Sequence, residues 1–404
     1  MKPVKILFLG LGYSDVADES GLYTELVEEL SGLGADIQVV APALDDVRVG
    51  PRVEGGIPVL RVQSGRLFET GLIRKGLNNL LLPLRYYRAL RAQLESWNPD
   101  WVITPTPPIT LTPLVWWMKR RTEAKSYLVL RDIFPQNAVD LGFMSKRGPT
   151  HLFFRLLEKW TYSVSDAIGC MSPGNARYVT FHNAGFDSSK LHLLPNWIAE
   201  RHLAEEAEFT ATRERWGVGE QELLCVFGGN LGKPQQVEFL AEVARALPEG
   251  LGIKIIVIGK GTESANLKSL IQRFGLTNLV LRDRLPRDEY QQLLGAADVG
   301  FILLSERFTI PNIPSRLTGY WAAGVPVLAA TDANTDLHDA FLRPYNAGEW
   351  VQMGDVSGFI AKLRWFAEHR EEAAEMGRRG QQAIRHHFTA KKAAQTVLEQ
   401  ISSL

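Results

Sequence analysis

The stretch Gly228-Gly229-Asn230-Leu231-Gly232-Lys233 directly follows residues 223–227, an apolar run with the composition of a buried strand. A second stretch runs from Ile313-Pro314-Ser315-Arg316 through a short helical pattern to Ala322-Ala323-Gly324-Val325-Pro326-Val327-Leu328. A strand that ends in small residues and leads into a helix presents backbone N–H groups at the positive end of the helix dipole, where phosphate binds. Two such turns in one half of the chain predict a site for a nucleotide diphosphate between them.

Length and composition narrow the class of protein. At 404 residues the chain is too long for one hydrophobic core, so we expect two domains. The 45 basic residues balance the 45 acidic ones, which argues against a nucleic acid partner. Cys170 and Cys225 lie far apart in apolar runs, and we interpret them as reduced core thiols rather than as a disulfide or a metal site.

The sequence carries no sign of secretion or of a membrane span. Apolar residues 6–9 are too few for a signal peptide, and the longest uncharged run, residues 101–118, contains four prolines. We therefore expect a cytoplasmic protein.

Short apolar runs alternate with longer amphipathic stretches along the chain, which is typical of an α/β protein with parallel sheets. We predict two Rossmann-like domains that face each other across a cleft, with ligands at the carboxyl ends of the strands. The boundary is predicted near Pro195-Asn196-Trp197, so that residues 1–196 form the first domain and residues 197–385 the second. The predicted strands are residues 6–9, 37–41, 59–62, 101–104, 127–131, 167–171, 192–194, 223–227, 254–258, 279–282, 299–304 and 327–330.

Several motifs in a fixed order resemble the retaining GT-B glycosyltransferases of family 4, over almost the whole chain. The segment Leu130-Arg131-Asp132-Ile133-Phe134-Pro135-Gln136-Asn137-Ala138-Val139-Asp140 is similar to one in the L-fucosamine (L-FucNAc) transferases of O-antigen assembly, in the bacterial surface-polysaccharide branch. The resemblance implies an acceptor-binding first domain, a nucleotide-sugar-binding second domain, and a terminal helix in residues 386–404 that crosses back to the first. The other matching motifs are Ser165-Asp166-Ala167-Ile168, Met171-Ser172-Pro173, Leu194-Pro195-Asn196, Gly228 to Lys233, Ile258-Gly259-Lys260-Gly261 and Ala297-Asp298-Val299.

The resemblance also implies catalytic roles. Lys233 and Arg316 would neutralise the leaving diphosphate, and Asp132, which follows a predicted strand, would support the charge that develops on the transferred sugar. Plainer interpretations stay open: a surface lysine, a solvated arginine, and a loop aspartate that caps its own backbone. The residues implied in donor binding are Ser20, Gly21, Gly229, Asn230, Gly259, Gly261 and Ser315.

Some of these donor-binding residues also have a purely structural interpretation. Ser20 is a plausible N-cap for a helix predicted over residues 22–33, and Gly259 and Gly261 are equally typical of an ordinary turn. No metal or other cofactor is implied, because neither an Asp-x-Asp element nor a His/Cys cluster occurs where one is needed.

The chain departs from the family pattern at one point. Members usually carry two glutamates eight positions apart, the second of which binds the ribose hydroxyls, and the matching positions here are Pro311 and Gly319. Glu306 on the preceding loop is a candidate substitute.

A basic, apolar segment runs from Arg61 to Arg91. It contains seven basic residues and a single acidic one, Glu69, with leucine and aromatic side chains interleaved. This composition predicts docking on an anionic membrane surface, and Trp116-Trp117 followed by Lys119-Arg120-Arg121 repeats the pattern. A buried helix whose solvent-exposed face is basic explains the segment nearly as well.

Together these features favour a retaining, hexosyltransferase-type glycosyltransferase of surface-polysaccharide or lipopolysaccharide assembly. It would move a sugar from a UDP-sugar to a polyprenyl-diphosphate-linked glycan, as a peripheral protein on the inner face of the cytoplasmic membrane. The match at residues 131–140 favours UDP and an N-acetylated 6-deoxyhexosamine. Two alternatives stay open: a nucleotide-sugar 2-epimerase, and a catalytically inactive nucleotide-sugar-binding relative, which the missing carboxylate at Gly319 favours.

Overall fold

The computed structural model describes residues 2–14, 21–43, 48–64, 72–91, 94, 97–202 and 209–404. The chain divides into two compact units. The N-terminal unit comprises Met1–Pro195 together with Ala390–Leu404, and the C-terminal unit comprises Asn196–Thr389. The chain thus divides after Pro195 and after Thr389, whereas the sequence predicted division after residues 196 and 385. The terminal helix belongs to the N-terminal unit.

In the described residues, fourteen strands form two sheets. The strands are β1 (Lys5–Leu9), β2 (Asp36–Ala43), β3 (Gly50–Glu54), β4 (Ile57–Gln63), β5 (Trp101–Pro105), β6 (Lys125–Leu130), β7 (Ala167–Cys170), β8 (Leu191–Leu193), β9 (Leu223–Gly228), β10 (Ile253–Ile258), β11 (Leu279–Arg282), β12 (Val299–Leu303), β13 (Val327–Thr331) and β14 (Gly348–Gln352).

The α-helices lie mostly between the strands, as parallel sheets require. They are α1 (Leu22–Gly32), α2 (Leu72–Leu90), α3 (Thr112–Thr122), α4 (Gln136–Asp140), α5 (Pro149–Val164), α6 (Pro173–His182), α7 (Phe209–Arg215), α8 (Phe239–Ala246), α9 (Ser264–Phe274), α10 (Arg287–Gly295), α11 (Arg316–Ala322), α12 (Arg343–Tyr345), α13 (Val356–Glu368), α14 (Arg370–His387) and α15 (Ala390–Ser403).

The sheet of the N-terminal unit has the order β3-β4-β2-β1-β5-β6-β7-β8 and is parallel except for the β3–β4 pair. From β1 to β2 the chain steps across the sheet towards the β3 edge. From β4 through β5, β6 and β7 to β8 it steps in the opposite direction, towards the β8 edge. Right-handed connections therefore place α1 on one face and α2, α3, α5 and α6 on the other. Ring contacts agree with this arrangement, since Tyr87 packs on Trp117 and Trp116 on Trp160, with centroids 4.8 and 6.0 Å apart.

The sheet of the C-terminal unit is fully parallel, with the order β11-β10-β9-β12-β13-β14. This is the doubly wound order in which the chain reverses direction between its first and fourth strands, here β9 and β12. The carboxyl ends of β9 and β12 therefore border the crevice in which such sheets bind ligands. The α/β fold with two parallel-sheet domains is the predicted one.

All twelve predicted strands are present, with bounds that differ by at most two residues at either end, but β3 and β14 were not predicted. β3 contains Pro51 and exposes the successive residues Arg52 and Val53, because it is an antiparallel edge strand with both faces open to solvent. β14, at the edge of the other sheet, carries the polar residues Glu349 and Gln352. Edge strands need not be apolar, so neither has the run of aliphatic residues that marks a central strand.

The structure corrects the surface predicted from Arg61 to Arg91. Arg61 lies on β4 with no exposed side-chain area, and its guanidinium binds both carboxylate oxygens of Glu54 and the carbonyls of Tyr13 and Pro42. Leu82 and Tyr86 on α2 are buried in the core of the N-terminal unit. Arg66, Phe68 and Glu69 lie outside the described residues.

Both cysteines are buried free thiols, and burial raises the pKa of Cys170 to about 12. In the part of the chain that the structure describes, every helix is too short or too polar to cross a bilayer.

A half-buried histidine gives the N-terminal unit a pH-dependent stability. The ring Nε2 of His192 lies 2.6 Å from the Tyr127 hydroxyl, and burial lowers the pKa of His192 from 6.5 to about 4. Between these two pH values the unfolded chain binds the proton and the folded chain does not. Stability is therefore full above pH 6.5 and falls as the pH drops towards 4, by at most about 3 kcal/mol.

Urea denaturation of the wild type and of His192→Gln across this pH range tests the effect. The free energy of unfolding should fall more steeply with acidification in the wild type than in the variant. Two parallel curves would contradict the assignment.

Candidate donor site and the Asp132 loop

The glycine-rich turn Gly228 to Lys233 lies at the carboxyl end of β9, beside the point where the strand order reverses. The expectation that a helix begins there is wrong. A single 3₁₀ turn, Lys233–Gln235, follows, and α8 begins only at Phe239. A helix dipole therefore does not act at this turn.

The backbone N–H groups of the turn are mostly used within the protein. The expectation that the turn offers these N–H groups to phosphate is therefore wrong for most of them. Asn230 and Lys233 of the turn are exposed to solvent. The internal bonds run from Gly228 to the Tyr320 hydroxyl, from Gly229 to the Ile258 carbonyl, from Leu231 to the Lys260 carbonyl and from Gly232 to Gln235 Oε1, at 2.9 to 3.2 Å.

Arg316 joins the start of α11 to this turn. Its Nε donates to the carbonyl of Gly228 and its Nη2 to the carbonyl of Asn230 (3.2 Å), while the guanidinium lies 4.4 Å from the ring centroid of Phe227. Burial lowers the pKa of Arg316, and the neighbouring Tyr320 and Tyr290 oppose that shift. Arg316 is thus a partly buried cation held against the turn rather than a solvated surface charge.

Two tyrosines support the same turn from beneath, and the sequence interpretation missed both. The Tyr320 hydroxyl lies within hydrogen-bond distance of the carbonyls of Val226 (3.2 Å) and Phe301 (3.0 Å), which joins β9 to β12. The Tyr290 hydroxyl occupies the space that a side chain at Gly228 would need, and burial raises its pKa well above 10. Tyr320 lies one helical turn after Arg316, and this i, i+4 spacing is the signal that could have revealed it.

Gly259 and Gly261 allow the loop after β10 to lie against the turn after β9. A Cβ built on Gly259 would come within 1.8 Å of the Gly229 carbonyl oxygen, and one on Gly261 within 2.1 Å of the Leu231 carbonyl oxygen. Gly229 itself has a φ of 118°, which glycine adopts readily. The structural role of Gly259 and Gly261 is therefore the close approach of two backbones.

The second predicted turn leads into α11. Pro314 lies just outside the helix, because Ser315 is the N-cap and the helix begins at Arg316. The Ser315 side chain is exposed and forms no capping hydrogen bond. Among the described residues, no acceptor binds the N–H groups of Ser315 and Arg316, which are therefore available to a ligand.

The two positions that lack the family glutamates have different surroundings. A Cβ on Gly319 would have no other heavy atom within 4 Å, so crowding does not explain the missing carboxylate. Pro311 is buried. Glu306 is exposed on the loop after β12, and its backbone N–H donates to Gln236 Oε1 (3.3 Å).

Asp132 directly follows Arg131 at the carboxyl end of β6 in the N-terminal unit. The pKa of the half-buried Asp132 carboxyl is raised by burial, and the positive charge of Arg131 opposes this shift only in part. Burial lowers the pKa of Arg131, and the neighbouring Tyr23 of α1 opposes that shift. In the described part of the chain no backbone N–H donates to the Asp132 carboxylate, so the self-capping interpretation has no geometric support here.

The remaining predicted residues are placed as follows. Gly21 is the N-cap of α1, and its carbonyl accepts from the N–H of Glu25 (3.0 Å). Ser20 lies outside the described residues. No group of three or more His, Cys, Asp or Glu side chains suited to a metal ion occurs in the described ranges, and the absence of a metal from the reaction stays a prediction.

Structures of similar fold span the whole chain. One is sucrose-phosphate synthase from Thermosynechococcus elongatus, with a TM-score of 0.78 at 15% identity, covering 99% of this chain and 98% of that one. Another is HepE from Anabaena in complex with UDP, with a TM-score of 0.72 at 15% identity, covering 99% and 100%. Both comparisons establish the fold, which is that of the GT-B glycosyltransferases.

Two family models match the chain one after the other. The glycosyl transferase 4-like domain matches residues 23–197, and a glycosyl transferase-like model matches residues 235–399. The chain belongs to the GT-B, family 4-like glycosyltransferases. Among curated proteins, this glycosyltransferase is 24% identical over 376 residues to the putative colanic acid biosynthesis glycosyl transferase WcaI of Escherichia coli strain K12. The aligned region covers 89% of this chain and 91% of WcaI.

The contact between Gly259 and Gly229 is open to a direct test. Gly259→Ala should destabilise the glycosyltransferase by roughly 3 kcal/mol, the upper end of the cost of overpacking, because its methyl group cannot fit against the Gly229 carbonyl. Gly319→Ala is the matched control. Its methyl group has open space, and alanine favours the helix by about 1 kcal/mol. Urea denaturation measures both, and equal stability of the two variants would refute the packing argument.

Proposed function

We propose that this glycosyltransferase moves a hexosyl unit from a UDP-sugar to a polyprenyl-diphosphate-linked glycan, with retention of configuration, in bacterial surface-polysaccharide assembly. The observation that carries the proposal is the cation of Arg316, held at the reversal point of the C-terminal sheet against a turn that also exposes Lys233. A diphosphate at this point would meet two positive charges and the N–H groups of Ser315 and Arg316.

Two comparisons support the choice of substrates. HepE, similar in fold, binds UDP, and WcaI carries a name that places it in colanic acid biosynthesis. The segment from Leu130 to Asp140 resembles L-fucosamine transferases of O-antigen assembly, which favours an N-acetylated 6-deoxyhexosamine as the transferred sugar.

The proposed reaction needs no pair of catalytic carboxylates. The bond between the anomeric carbon and the diphosphate oxygen breaks while the acceptor hydroxyl bonds to the same face of that carbon. The acceptor proton passes to the departing diphosphate oxygen, so that charge and atoms balance. The protein would position both substrates and stabilise negative charge on the leaving group, through Arg316 and Lys233. Asp132 would stabilise the positive charge that develops on the sugar ring.

The two rival functions are weaker. A 2-epimerase needs acid and base groups around the sugar, and the described residues that border the C-terminal turn offer no such set. A catalytically inactive relative is favoured only by the missing carboxylate at Gly319. The chain incubated with candidate UDP-sugars, with and without a lipid-linked acceptor, separates the three functions. Acceptor-dependent UDP release supports transfer, an altered UDP-sugar indicates epimerisation, and UDP-sugar binding without turnover indicates an inactive relative.

We also propose that the N-terminal unit contacts an anionic membrane surface. Within the segment from Arg61 to Arg91, the outer face of α2 supports this contact. The exposed residues of that face are Leu80, Leu81, Leu84 and Arg88. Trp116 on the adjacent α3 stacks under Arg120 (4.3 Å from the ring centroid) and is also exposed. A membrane contact would bring the protein to its lipid-linked acceptor.

Lys233→Ala tests the charge at the leaving group. It should lower the rate of sugar transfer by at least about 10²-fold, the usual effect of losing one preorganised electrostatic contact. The melting temperature should hardly change, because the side chain is exposed. Lys260→Ala, on the neighbouring loop, is the control. Unchanged transfer kinetics in Lys233→Ala would remove this residue from the site.

Asp132→Asn tests the role of the carboxylate. The substitution keeps size and hydrogen bonding but removes the charge, so turnover should fall further than the affinity for the donor. Asp140→Asn, at the end of α4 in the same segment, is the matched control. A variant that turns over normally but melts earlier would assign Asp132 a purely structural role.

A further inference from the structure

The first half of α5 exposes a cluster of large apolar side chains. Leu152, Phe153 and Leu156 are 61%, 51% and 59% exposed, and Phe143, just before the helix, is 52% exposed. Leu152 and Leu156 lie one helical turn apart and therefore share a face. Apolar side chains exposed singly are ordinary, whereas a contiguous group marks a surface that binds something. We call these four residues the α5 patch.

The α5 patch lies beside the loop that carries Asp132. Phe154, next to the patch on α5, packs edge-on against Phe134 with ring centroids 4.9 Å apart, and against Phe153 at 5.1 Å. Phe134 is two residues from Asp132. The patch is therefore at the carboxyl edge of the N-terminal sheet, where the acceptor is expected.

The charged residues of the segment that carries the patch are mostly basic. Residues 143–160 contain four basic residues and one acidic residue, Glu158. Glu158 is buried, and its carboxylate binds Arg155 and the Tyr162 hydroxyl (3.0 Å). The exposed charged side chains of this segment, Lys146, Arg147 and Lys159, are therefore all cationic.

We propose that the α5 patch inserts into an anionic phospholipid bilayer and is the main membrane contact of the N-terminal unit. Apolar side chains enter the interfacial region while the lysines and arginines meet lipid phosphates. A second copy of the chain fits less well, because a symmetric contact would bring two basic rims together. This inference rests on the proposed function in one respect: the membrane contact would deliver a lipid-linked acceptor to the Asp132 loop.

The α5 patch and the exposed face of α2 lie on the same side of the sheet. Trp116 and Trp160 connect α3 to α5, and Tyr87 and Trp117 connect α2 to α3. One bilayer surface can therefore touch both. The proposal differs from docking through α2 alone in predicting that α5 carries the larger share of the binding.

Co-sedimentation of the full chain with vesicles measures that share. Leu152→Gln with Leu156→Gln should lower partitioning onto phosphatidylglycerol vesicles by about tenfold or more, because two large side chains no longer insert. Leu80→Gln with Leu84→Gln on α2 should have a smaller effect, and Leu33→Gln, at the end of α1 on the opposite face, should have none. A larger loss from the α2 pair, or no loss from the α5 pair, would overturn the proposal.

A fluorescent label reports insertion even where the double variant folds poorly. Because Cys170 and Cys225 are buried, Leu156→Cys offers one reactive thiol for a polarity-sensitive dye. The emission should shift to the blue with phosphatidylglycerol vesicles and much less with phosphatidylcholine vesicles, and a label at Leu33→Cys should not respond. A blue shift without vesicles that grows with protein concentration, matched by a dimer in sedimentation velocity, would show self-association instead and refute insertion.

The vesicle result is independent of the proposed transfer reaction. Binding of UDP by the α5 variants without vesicles should equal that of the wild type. If wild-type protein binds vesicles through α5 but neither binds UDP nor transfers sugar, the membrane inference stands and the proposed function fails.

Discussion

The contact on which the C-terminal site depends is the one between the Arg316 guanidinium and the carbonyls of Gly228 and Asn230. It ties the start of α11 to the end of β9, and Tyr320, one turn further along the helix, ties the same turn to β12. A guanidinium presents up to five donors, and two of them are used here. The guanidinium as a whole carries a positive charge, which therefore lies at the reversal point of the sheet. The turn is therefore both rigid and electropositive, as a preorganised diphosphate site requires.

The architecture was readable from the sequence because central parallel strands are buried on both faces and must be apolar runs. The local chemistry of the site was less readable. The motif Gly228 to Lys233 suggested free N–H groups at a helix start, yet four of those groups are donated to Tyr320, Ile258, Lys260 and Gln235. A glycine pattern reveals where backbones approach closely but not what approaches. Here the neighbour of Gly229 is another backbone, at Gly259.

Charge patterns were misleading for a related reason. Arg61 belongs by sequence to a basic run, but in the fold it is a buried ion pair with Glu54 on the neighbouring strand. Composition does not reveal which side of an element faces water. The sequence does not predict the exposed apolar face of α5, because large apolar residues at helical spacing, such as Leu152 and Leu156, are equally typical of a helix face that packs in the core. Only the packing of α5 against its neighbours distinguishes that core from an open face.

Amide hydrogen exchange with and without UDP tests the central claim most directly. UDP should slow exchange in peptides that contain Asn230 and in those that contain Ser315 and Arg316. Protection confined to other parts of the C-terminal unit, or none at saturating UDP, would contradict a diphosphate site built around Arg316.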